Sequence, residues 1–121
     1  MIRKCWIDFQ VTIDINIGDI QSVGGYSKSH FTVGTIRYPD RERTSTLIYM
    51  KASLTGDEAT DVGQYKKKCP MFPHESTNDQ FFSEDQFESY RRLGEHVGLQ
   101  TFDSWKAKRN WADFIGSLRR A

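Results

Sequence analysis

No apolar run in this chain approaches the roughly 20 residues that a helix needs to span a bilayer. Met1-Ile2-Arg3-Lys4 is not followed by the apolar core of a signal peptide. The expectation is a chain with no membrane span and no secretory leader. Cysteine is scarce. Cys5 and Cys69 stand far apart in no metal or redox spacing, which predicts reduced thiols and a cytoplasmic location, with a single disulfide as the alternative. Charge of either sign is also lacking in excess. The net value of +1 supplies no electrostatic case for nucleic acid or for an anionic membrane. His30, His74 and His96 are widely separated and make no His-x3-His pair, and no Cys-x2-Cys occurs, so spacing predicts neither a metal nor a cofactor. No internal repeat and no low-complexity tract is present.

One further absence bears on catalysis. A nucleophile elbow needs glycine on both sides of its serine, because the strand-to-helix turn is too sharp for side chains nearby. The nearest candidate, Gly24-Gly25-Tyr26-Ser27-Lys28-Ser29, has no glycine after either serine, and no strand-like run leads into it. No Asp-Gly pair occurs, since Gly18-Asp19 and Gly56-Asp57 have the reverse order.

What is present suits a folded chain. At 121 residues it is one domain or part of one, long enough for a modest core. Hydrophobic residues at 37% and charged residues at 27% argue against disorder. Eight Phe, five Tyr and three Trp mean that much of the core must be aromatic.

Residues 5–17 alternate, with Trp6, Asp8, Gln10, Thr12 and Asp14 on one side and Ile7, Phe9, Val11, Ile13, Ile15 and Ile17 on the other. Period-two alternation with β-branched residues predicts a half-buried strand. A Gly/Ser/Asp-rich loop over 18–29 leads to strands at about 31–38 and 44–50, joined by a charged turn as a hairpin. Thr55-Gly56-Asp57-Glu58 then reads as a capping box opening a helix over about 56–69, with Lys66-Lys67-Lys68 at the negative end of its dipole and Pro70 stopping it. Ser83-Glu84-Asp85-Gln86 is a second capping box, for a helix over about 84–97 that Gly98 ends. A third helix spans about 103–118, with Trp105, Trp111, Ala112, Phe114, Ile115 and Leu118 at helical spacing, a core-facing stripe in preference to a membrane-seeking one. The fold class is α+β: a three-stranded, largely antiparallel sheet followed by three helices.

Between the first two helices lies a polar loop, Phe72 to Phe82. Its His74, Glu75, Ser76, Thr77, Asp79 and Gln80 contain every residue type of a hydrolase triad. Adjacent side chains point in different directions, however, whereas a triad needs its base in reach of the nucleophile and an orienter behind it. The loop reads instead as one held in shape by side-chain to backbone bonds, its ends pinned into the core by Phe72, Phe81 and Phe82, and available as a contact surface. Lys66-Lys67-Lys68 with Arg91-Arg92 read as solvated helix-end charges in preference to a phosphate patch.

The run Phe72-Pro73-His74-Glu75-Ser76-Thr77-Asn78-Asp79-Gln80-Phe81-Phe82, continuing through Ser83-Glu84-Asp85-Gln86-Phe87-Glu88-Ser89-Tyr90-Arg91-Arg92-Leu93-Gly94, resembles the C-terminal signature of bacterial patatin-like phospholipases, which are lipid acyl hydrolases. His30 to Tyr38, Thr46 to Glu58 and the opening Ile2-Arg3-Lys4-Cys5-Trp6-Ile7-Asp8-Phe9 carry the same likeness, which covers roughly the first four-fifths of the chain. The resemblance implies a fragment of a larger α/β fold whose Ser-Asp dyad lies before the part equivalent to Ile2-Arg3-Lys4. On this reading the chain is a non-catalytic C-terminal structural segment, inactive alone. Its partner is the missing catalytic portion, or a second copy through an exposed strand edge, and any membrane association comes through the larger parent protein. The alternative is a free-standing small binding or hydrolase domain using the Phe72 to Phe82 loop, with Arg37, Lys51 or His96 nearby.

Overall fold

The computed structural model describes residues 2–40, 42–78, 80–103, 105, 108 and 110–120. It opens on helix α1 (Ile2–Phe9), followed by strand β1 (Thr12–Asp14), a 3-10 turn (Gly18–Ile20), strands β2 (Phe31–Arg37) and β3 (Thr44–Met50), and helices α2 (Thr60–Lys68), α3 (Glu84–Phe102) and α4 (Trp111–Leu118). The sheet is three-stranded and antiparallel in the order β1-β2-β3. The architecture is therefore the expected α+β, with one helix more than the sequence suggested, and that helix precedes the sheet.

The expected strand over 5–17 shrinks to three residues because its first half is helical. Ile2, Cys5, Trp6 and Phe9 fall on one helical stripe while Ile7, Asp8 and Phe9 also alternate, so the segment fits both periods, and short apolar runs of this kind are ambiguous. No glycine or proline marks the change. Gln10 ends the helix by taking φ 55°, and its amide donates to Trp6 O at 2.9 Å.

β2 and β3 pair along their whole length, with Val33 opposite Ile48 and Phe31 opposite Met50. That face receives α4, whose buried Phe114, Ile115 and Leu118 pack on Phe31, Val33 and Ile48. The opposite face carries Ile13, Ile36, Leu47 and Tyr49, all half-exposed or exposed. At its upper end the chain after β1 crosses β2 at Gly34, where an added Cβ would lie 2.9 Å from both Asp14 O and Ile15 Cβ. Glycine is the residue that permits this crossing.

A second core joins the helices. Leu54, Val62, Tyr65, Phe72, Leu93 and Val97 are buried together, and Phe72 meets Tyr65 and Tyr90 edge-on at 5.1 and 4.8 Å. The second predicted cap forms: Ser83 Oγ accepts from Gln86 N at 3.2 Å. α3 does not end at Gly98. It runs on to Phe102 because Val97 and Thr101 are buried one turn apart and the Thr101 hydroxyl donates back to Val97 O. The helix expected over 103–118 is correspondingly later and shorter. α4 starts at Trp111 behind an Asn110 cap, while Ser104, Lys106, Ala107 and Arg109 lie outside the described residues. Trp105 and Trp111 are 42% and 53% exposed and gather round the buried Phe114, so the aromatic stripe caps this core from its rim.

Candidate functional site

The buried aromatic anchor of the Phe72 to Phe82 loop lies at its entrance. Phe72 and Pro73 are buried, whereas Phe81 and Phe82 are 93% and 58% exposed, so the expectation that all three phenylalanines pin the loop is corrected. Lys66 Nζ donates to Pro70 O and Phe72 O, both at 2.7 Å, and thereby fixes the loop entrance; this lysine has a loop-holding contact in addition to its helix-end position. Glu75 is half-buried. Its two oxygens accept from the Tyr65 hydroxyl at 3.2 Å and from Gln86 Nε2 at 3.4 Å, tying the loop to α2 and α3. Ser76 Oγ accepts from Asn78 N at 3.2 Å. His74, Thr77 and Gln80 are exposed, and Asp79 lies outside the described residues.

This is the hydrogen bonding of a folded loop, with Glu75 and Ser76 both engaged away from His74. Partial burial, then the charges of Lys51 and Lys66, hold the His74 pKa below its usual value. Lys51 Nζ itself donates to Ile20 O at 3.5 Å. Arg37 borders a separate surface cleft with Trp6, Gln10 and Thr44. The loop and α3 enclose a shallow cleft of about 290 Å³, with Pro73, Phe82, Phe87 and Tyr90 among its walls.

Ser27, the nearest serine to an elbow pattern, is buried, and its hydroxyl donates to Ser29 O at 3.0 Å. The residues before it form a tight turn closed by Val23 and Tyr26. It is a structural hydroxyl on a turn.

The concentration of chemistry lies elsewhere, where the sheet meets the helical half. His30 at the head of β2 is 2% exposed. Its Nδ1 lies 3.4 Å from Ser53 Oγ and its Nε2 3.0 Å from Thr55 Oγ1, while His96 from α3 stacks edge-on with ring centroids 5.3 Å apart. His96 Nε2 is 3.2 Å from Asp57 Oδ1, and His30 Nε2 is 4.0 Å from Glu58 Oε1. One donor atom from each of His30, Asp57, Glu58 and His96 can be chosen so that all four lie within 4.8 Å of one another.

The Thr55 to Glu58 box explains this convergence. Glu58 reaches back as a capping box requires, accepting from Thr55 N and Gly56 N. The Thr55 hydroxyl does not complete the box. It donates to Asp57 and faces His30, and α2 begins only at Thr60, behind Ala59, which makes no side-chain cap. Gly56 takes φ 96°, which turns the chain so that both carboxylates face the imidazoles. Burial holds the His30 pKa below 6.5, against the raising influence of Glu58. The Thr55 hydroxyl, then Gln100 and His96, bring the Asp57 carboxyl down to about 2.

Spacing along the chain did not reveal this cluster. His30 and His96 sit far apart in sequence, and only the packing of α3 against the segment before α2 unites them. His96 therefore belongs to this cluster, paired with Asp57.

Apolar surface is left open as well. α1 has no buried residue, and Ile2, Trp6 and Phe9 are 45%, 56% and 69% exposed along one stripe. No helix among the described residues is long and apolar enough to cross a membrane. No known family, curated protein or solved structure matches the chain.

Proposed function

We propose that this chain is a non-catalytic structural segment, the counterpart of the C-terminal part of a patatin-like lipid acyl hydrolase, which braces an α/β body carrying the nucleophile and acid elsewhere. The observation that carries this reading is α1. An isolated helix shorter than about 12 residues is marginal in water, and helices in proteins draw their stability chiefly from burying an apolar face. α1 has eight residues and buries none of them. A second apolar surface, laid against Ile2, Trp6 and Phe9, is what stabilises it. The open sheet face at Ile13, Ile36, Leu47 and Tyr49 and the two sheet edges, unpaired among the described residues, ask for the same kind of neighbour.

Ester hydrolysis is then the work of the completed body, and localisation follows it: cytoplasmic, and at a membrane only through parts other than these residues. The test is the behaviour of the chain by itself. Sedimentation velocity should show concentration-dependent self-association with bright binding of a hydrophobic dye, and Trp6→Ser with Phe9→Ser should reduce both. A monodisperse monomer that ignores the dye from micromolar to millimolar concentration would contradict the proposal.

A further inference from the structure

We infer that His30, Asp57, Glu58 and His96 form a binding site for a divalent first-row transition metal, with Zn²⁺ the best-fitting ion. Two imidazoles and two carboxylates make a mixed nitrogen and oxygen donor set of the kind that zinc accepts in tetrahedral geometry. The donors come from three separate segments, the head of β2, the turn before α2 and the middle of α3, and they converge within 4.8 Å. A tetrahedral ion with bonds of about 2.0 Å needs donors about 3.3 Å apart. Contraction of the widest pair by roughly 1.5 Å, with the Thr55 hydroxyl moving off the centre it shares with His30, Asp57 and Glu58, brings them there.

The surroundings favour the ion. The ion-pair partners of Asp57 and Glu58 among the described residues are the two imidazoles, with no lysine or arginine. A metal takes imidazoles as neutral ligands, and a divalent cation then matches the charge of the two carboxylates. The positions are also held from behind. Thr55 N and Gly56 N fix the Glu58 carboxylate, Gln100 Nε2 donates to Asp57 Oδ2, and Ser53 Oγ stands beside His30 Nδ1. A carboxylate oxygen that accepts one amide still has a lone pair for a metal. The tautomer with its proton on His30 Nδ1 leaves Nε2 free for coordination, which is the usual support for a metal-bound histidine.

The probe is Zn²⁺ itself, titrated into the purified chain in competition with a chromophoric chelator. A single equivalent is expected, with an affinity in the micromolar range or tighter, and Mg²⁺ in excess should not displace it. His96→Gln and Asp57→Asn lie on different segments at half-buried and exposed positions, so circular dichroism can confirm that at least one keeps the fold. Each should weaken binding about tenfold or more. His74→Gln and Cys69→Ser should leave it unchanged. Absence of stoichiometric binding overturns the assignment, and so does wild-type affinity in a folded His96→Gln or Asp57→Asn variant. Loss of binding on changing His74 or Cys69 overturns it too, by locating the ion elsewhere.

Discussion

Truncating Phe72 to alanine separates an anchored loop from a catalytic one. Phe72 is fully buried and packs edge-on with Tyr65 and Tyr90. A buried phenyl ring removes roughly 150–200 Å² from water. At about 25 cal/mol/Å² that corresponds to about 4–5 kcal/mol, and truncations of buried Phe typically cost about 3–5 kcal/mol. We expect about 4 kcal/mol, a large share of the roughly 5–15 kcal/mol that holds a domain folded. With an unfolding entropy of about 2.1 cal/mol/K per residue, the thermal midpoint should fall by roughly 15 °C. Phe82→Ala, at the exposed end of the same loop, should cost under about 1 kcal/mol. Urea unfolding of both variants, followed by tryptophan fluorescence, gives the two numbers. Equal costs, or a Phe72 cost under about 1 kcal/mol, would refute the burial of Phe72 as the loop's anchor and the core built on it.

Three further outcomes follow from other parts of the molecule. Gln10→Gly should stabilise the chain by about 1 kcal/mol, since a side chain at φ 55° carries a left-handed penalty that glycine lacks; urea midpoints report it. Gly34→Ala should cost about 1–3 kcal/mol, because the new methyl meets Asp14 O and Ile15 Cβ, and the amides of Thr12 to Asp14 should lose hydrogen-exchange protection. Asp57 has a folded pKa of about 2 against an ordinary 3.8, so its contribution is present above pH 3.8 and is lost as pH falls through about 2. Solvent screening at this exposed carboxylate keeps that contribution under about 1 kcal/mol, and Asp57→Asn should flatten that part of the acid-unfolding curve.

The hairpin, the Ser83 cap and the aromatic packing of α4 were legible from local pattern, because each depends on neighbours in sequence. α1 was not, since Ile2, Cys5, Trp6 and Phe9 satisfy a helical stripe while the residues after Trp6 also alternate, and the boundary falls at a glutamine. The Thr55 to Glu58 box was legible as a turn with a reaching glutamate. Its misplacement as a helix start came from the Thr55 hydroxyl, which donates to Asp57 and faces His30 across the fold in place of capping α2. The same long-range contact explains why the His30 and His96 cluster had no signature: its spacing exists in space and not along the chain. The polar loop holds every residue type of a triad, yet adjacency along the chain already argued for a loop held in shape, and Glu75 and Ser76 are engaged in holding it.

The claim that this chain supports catalysis located elsewhere meets its most direct test in a hydrolysis assay. Purified chain, with p-nitrophenyl butyrate as substrate, should release product no faster than buffer, and His74→Ala and Ser76→Ala should change nothing. Turnover by the chain alone that disappears in either variant would contradict the account.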